Sequence, residues 1–152
     1  MSYTVSSSHT FATTPERAWD VIVETPLQDL FDHRSGPIPP VKEMVSDGPW
    51  GAVGAVRTVV LADGSSNLES LTGAERPGEY RYELTNFTGP MKALVSRVEG
   101  RFDFVPQGDQ TVATWTWVIH PTNAITGFAL PVLGYFWKGW AAQMWPKFGA
   151  RI

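Results

Sequence analysis

Two charged residues, Arg57 and Glu69, are the side chains best spaced to do chemistry in this sequence. They flank a turn signal at 63–66 and so fall on adjacent strands. If both face a dry interior, each needs the other, because a buried charge without a partner is very costly. Such a pair could orient the polar end of a ligand, or Glu69 with a raised pKa could serve as a general acid or base. A two-residue shift of the turn keeps the pair on one face, and a one-residue shift separates it. The plainer alternative is an exposed cross-strand ion pair, worth about a few tenths of a kcal/mol.

Aromatic residues recur on the strands that follow. Tyr80, Tyr82 and Leu84 share one strand face, and Trp115, Trp117 and Ile119 share another. Each Tyr or Trp brings an apolar body and one polar atom, which suits a mostly apolar guest with a few oxygens. Leu71 is counted with them as pocket lining. Ordinary core packing is the competing reading for every one of these residues. His9, His33 and His120 lie far apart and show no metal-ligand spacing, so neither a metal nor a cofactor is expected. His33 opens a Pro-rich stretch and could carry a proton near neutral pH, or stand simply as an exposed loop histidine. His120, just before Pro121, reads as a turn residue.

These groups need elements to hold them. Residues 3–11 alternate apolar and polar, a half-buried strand. Thr14, Pro15 and Glu16 form a helix start, and Ala18, Trp19, Ile22 and Val23 give its apolar face. Pro26 ends this helix and opens a short second one at 27–31, followed by loop at 33–40. Strands are then expected at 41–45, 55–62, 67–71, 79–88, 91–105 and 111–119, and one long apolar helix at 125–145. No strand–helix–strand alternation occurs, so the class is α+β with an antiparallel sheet.

The last segment carries two apolar stripes at helical spacing. Phe128, Val132, Phe136, Trp140 and Met144 form one; Leu133, Trp137, Ala141, Trp145 and Phe148 form its neighbour. The first stripe is expected to face the sheet, with Phe136, Trp140 and Met144 touching a ligand. The second then packs on the first helices or on another copy, so a homodimer is a reasonable expectation. Lys138 and four Gly or Pro residues argue against a membrane span, although peripheral membrane contact stays open.

Composition narrows the classes. The chain has 152 residues, expected to form one domain over 1–152, with 43% hydrophobic residues and no cysteine. Disulfides and thiolate chemistry are therefore excluded. Net charge is −3, and no run of Lys or Arg exists to bind nucleic acid. The first residues lack a basic and then apolar signal pattern, which makes the cytoplasm the default location. Nucleotide-binding glycine motifs, GxSxG and HExxH are absent, which removes kinase, dehydrogenase and hydrolase readings.

The motifs TPERAWDVI (14–22), VGAVRTVVLADG (53–64), YRYEL (80–84), Gly89-Pro90 and TWTW (114–117), followed by the long final helix, occur in an order that resembles the START-like, SRPBCC superfamily. That superfamily includes Bet v 1-type proteins and polyketide cyclase/dehydrase-like proteins. The resemblance covers nearly the whole chain and implies a helix-grip fold, a curved seven-stranded antiparallel sheet around a C-terminal helix with a hydrophobic cavity between. It also places Glu69 where relatives present a polar group to that cavity. The implied function is binding of a small hydrophobic ligand, lipid-, polyketide- or isoprenoid-like. The alternative is a cyclase, aromatase or dehydrase acting on a polyketide, with Glu69, Tyr82, Arg57 and His33 as candidate groups. A third reading is an interaction module with a collapsed interior.

Overall fold

The structure, a computed structural model, describes residues 1–152. Its seven strands are β1 (Tyr3–Phe11), β2 (Val41–Ser46), β3 (Val56–Leu61), β4 (Ser66–Glu75), β5 (Glu79–Thr85), β6 (Val95–Gln107) and β7 (Gln110–Pro121). They form one antiparallel sheet in the order β1-β7-β6-β5-β4-β3-β2. Alternation along each strand sends one side chain in two to the concave face. Val98, Phe102 and Phe104 on β6, and Ala113, Trp115, Trp117 and Ile119 on β7, are all buried there.

Between β1 and β2 lie α1 (Pro15–Glu24) and α2 (Leu27–Leu30). The Thr14 hydroxyl accepts a hydrogen bond from the Arg17 amide at 3.2 Å, capping α1, and Pro15 stands in its first turn. Trp19, Val21 and Ile22 turn the buried face of α1 toward the sheet. The outer strand β2 slips register against β3 between Val41 and Glu43, and Lys42 and Glu43 are exposed there.

Two elements differ from the sequence expectation. Residues 91–94 are not strand. They belong to α3 (Pro90–Leu94), which starts where Gly89 takes φ 72° and Pro90 fixes the first helical turn. The preceding strand stops at Thr85 rather than at 88, because Asn86 adopts a left-handed φ of 56° and breaks the extended chain.

The final segment divides into α4 (Ala124–Gly127), capped by Asn123, and α5 (Leu130–Gly149), with Pro131 in its first turn. The stripe assignment is reversed. Leu133, Trp137, Ala141, Trp145 and Phe148 are buried, whereas Phe128 and Val132 are exposed, and Phe136 turns onto the loop at Gly36. Trp140 and Met144 of the expected stripe are buried too, since they sit on the border of the inward face. Gly134 explains the direction of the helix. A side chain there would meet the Tyr3 ring at 2.6 Å and Val5 at 3.0 Å, so glycine lets α5 lie close over β1. The helix thus leans on the β1–β7 side and leaves β3–β5 uncovered at its other flank. No helix is long and apolar enough to cross a membrane.

Candidate functional site

That uncovered flank is a cavity of about 140 Å³, and 18 of its 27 lining residues are hydrophobic. The sheet supplies its floor. Leu133 and Trp140 of α5, Pro37 to Pro39 of the loop after α2, and Pro90, Met91 and Leu94 of α3 supply its walls and mouth. Polar straps hold the loop to the helix. The Ser35 hydroxyl donates to the Phe136 carbonyl at 2.6 Å, and the Trp140 indole N–H donates to the His33 carbonyl at 3.0 Å. His33 Nε2 lies 3.0 Å from the Trp140 carbonyl, so this nitrogen donates. Its ring is thereby tied to α5 and does not line the cavity, which removes His33 as a proton carrier to a guest.

Arg57 and Glu69 are directly paired across β3 and β4, so no register slip separates them. Both line the cavity and both are buried, at 7% and 3% exposure. Arg57 Nε donates to Glu69 Oε1 at 2.5 Å, and the Arg57 guanidinium lies 3.8 Å over the Trp50 ring. Burial pushes the Glu69 carboxyl above its ordinary range, while the adjacent guanidinium pulls it back down. The pair is therefore a polar island in an apolar wall.

Tyr80 and Tyr82 project from β5 into the same space, and Trp115 and Trp117 from β7. Tyr82 is bound twice. Its hydroxyl oxygen accepts from the Trp115 indole at 2.7 Å and from the Trp117 indole at 2.8 Å. The Tyr80 hydroxyl accepts from the Trp50 indole at 2.9 Å. Burial raises both phenols, with the Glu69 charge adding to the effect, so both stay protonated across the physiological range. Trp115 stacks on Phe102 at 5.5 Å and Phe31 packs on Trp140 at 4.3 Å, making the aromatic sides of the chamber.

Of the ten residues singled out from sequence, Arg57, Glu69, Tyr80, Tyr82, Trp115, Trp117 and Trp140 lie on this surface. Leu71, Phe136 and Met144 do not. Leu71 and Met144 sit in the filled part of the interior, at 1% and 0% exposure. Phe136 faces the strap instead. Asn67 is missing from the sequence reading, yet it stands two residues before Glu69 on the same face of β4 and shares the cavity. Period-two alternation from Glu69 would have found it. The contributions of Trp50, α3 and the 37–39 loop come from long-range folding and carry no local signal.

A curved antiparallel sheet gripping a C-terminal helix, with a cavity between them, defines the helix-grip class. The chain belongs to the family described as polyketide cyclase/dehydrase and lipid transport, whose pattern matches residues 2–151, within the SRPBCC superfamily. Solved structures share the fold at low identity. Norcoclaurine synthase from Thalictrum flavum, in complex with dopamine and hydroxybenzaldehyde, superposes with a TM-score of 0.71 at 15% identity, covering 99% of this chain and 86% of that one. Ginseng major latex-like protein 151 from Panax ginseng gives 0.74 at 9% identity, over 99% and 97%. A protein of Thermus thermophilus gives 0.69 at 17%, over 98% and 96%. No curated protein sequence matches this one.

Proposed function

We propose that this protein binds a small hydrophobic molecule in the cavity beneath the N-terminal half of α5. The observation that carries this reading is the chamber itself, mostly apolar and interrupted by a few buried polar groups on β3, β4 and β5. Affinity would come from apolar burial, at roughly 25 cal/mol per Å² removed from water. The family description and the ligands of norcoclaurine synthase support the same use of the fold.

Calorimetric titration with ethylbenzene tests this. One site per chain is expected, and it should be lost in Leu133→Trp, which fills the space under the helix. No heat from the folded wild-type protein, together with no small mass carried through native mass spectrometry, would refute the reading.

One observation favours a second, catalytic reading. The Glu69 carboxyl, raised by burial and held by Arg57, is a candidate proton donor or acceptor facing the cavity. Under that reading a polyketide mimic would be cyclised by the wild-type protein and left unchanged by Glu69→Gln. Equal turnover by both would remove Glu69 from the chemistry.

A further inference from the structure

The polar groups of the cavity are not equivalent, and their unused valences describe a guest. Tyr82 has two acceptor lone pairs, and the indoles of Trp115 and Trp117 occupy both. Its own proton has no protein acceptor. A buried donor in this state calls for an acceptor from whatever fills the chamber.

The opposite chemistry lies along β4. Glu69 gives Oε1 to Arg57, which leaves Oε2 outside the pair. Asn67, only 8% exposed, lines the cavity on the same strand face, and its Oδ1 has no partner in the protein. These two oxygens are acceptors and call for a donor. Tyr82 pairs with Leu71 in register, two residues along the sheet from Glu69, and its ring then runs over Gly100 on β6, away from β4. The donor and the two acceptors therefore stand at separate places on the chamber wall. The volume sets the size of the guest, since a chamber of about 140 Å³ is close to the roughly 150 Å³ that accepts a benzene ring.

We infer that the cavity selects a single-ring molecule bearing a carbonyl-type oxygen at one end, received by the Tyr82 hydroxyl, and a hydroxyl at the other, received by Glu69 and Asn67. This rests on the reading of the chamber as a ligand site and adds the polarity of the ligand to it. A fused polycyclic skeleton exceeds the volume.

Four probes sharing one ring and a two-carbon substituent separate the terms: ethylbenzene, acetophenone, 4-ethylphenol and 4-hydroxyacetophenone. In wild-type protein, acetophenone and 4-ethylphenol should each bind about fivefold tighter than ethylbenzene, and 4-hydroxyacetophenone tighter than either. The infrared carbonyl stretch of bound, ¹³C-labelled acetophenone should be lowered by the Tyr82 proton. It should move in Tyr82→Phe, where only the weaker indole donors remain, and a wild-type far-ultraviolet circular dichroism spectrum with a cooperative unfolding transition would show that the variant keeps its fold. Equal affinity for all four probes would overturn the inference while leaving the binding reading intact. An identical carbonyl stretch in wild type and Tyr82→Phe would overturn it as well. Binding of none of the four would remove the binding reading itself, and this inference with it.

Discussion

Gly100 stands opposite Tyr82 across β5 and β6, and the tyrosine ring lies where a Gly100 side chain would be. The ring therefore passes over β6 and delivers its hydroxyl to the two indoles of β7. One missing carbon on one strand sets the hydrogen bonding of three residues on two others.

Gly100→Ala should displace that ring. Forcing an atom into packed space typically costs about 1–3 kcal/mol, to be read by chemical denaturation. Both indole bonds to Tyr82 should break, which ¹⁵N NMR would show as movement of the Trp115 and Trp117 indole resonances. Unmoved resonances would mean that the ring position does not depend on Gly100.

The Glu69 carboxyl makes a signed contribution to stability. Burial raises it above its ordinary value of 4.5, so the folded protein holds this proton more tightly than the unfolded chain does. Its favourable contribution is complete below about 4.5 and is lost as pH rises through the folded value. Glu69→Gln, which never ionises, should escape that loss. The unfolding free energy of wild type relative to Glu69→Gln should therefore fall as pH rises above about 4.5. A difference that stays flat would show that Arg57 fully offsets the burial.

The two sides of the final helix should respond unequally. Trp137, fully buried against Trp115 at 4.5 Å, should cost about 3–5 kcal/mol when changed to alanine. Val132→Ser should stay within about 0.5 kcal/mol, because Val132 is 60% exposed. Comparable losses in the two variants would contradict the orientation of α5 described above.

His33→Ala should act on the strap alone. Losing the ring's hydrogen bond to the Trp140 carbonyl should lower the melting temperature, at about 1 kcal/mol. Ethylbenzene affinity should remain within about twofold. A larger fall in affinity with unchanged melting would restore His33 to the ligand's surroundings.

What the sequence disclosed follows the range of the interactions. Strand alternation is local, so the faces of Tyr80 and Tyr82, of Trp115 and Trp117, and of Arg57 and Glu69 could be read from period two and one turn. The α5 stripes were harder to assign. Both are apolar, and local pattern alone cannot choose between neighbouring faces of a helix that is greasy nearly all round. The choice is made by Gly134 against Tyr3, a contact between residues 131 positions apart. The α3 turn was hidden because Met91, Ala93 and Leu94 resemble the start of the strand that follows, and only the Gly89-Pro90 pair marks the interruption. Trp50 over Arg57 had no local cue at all.

The slipped register between Val41 and Glu43 has a consequence for assembly. An open sheet has two outer rims, and α5 packs over the inner face of β1 at one of them. At the other, the Val41 amide of β2 donates to the Phe31 carbonyl at the end of α2 at 2.8 Å, and the irregular backbone and the charges of Lys42 and Glu43 make that rim a poor template for adding a foreign strand. The molecule can keep its hollow interior on one side without inviting fibrous polymerisation from the other.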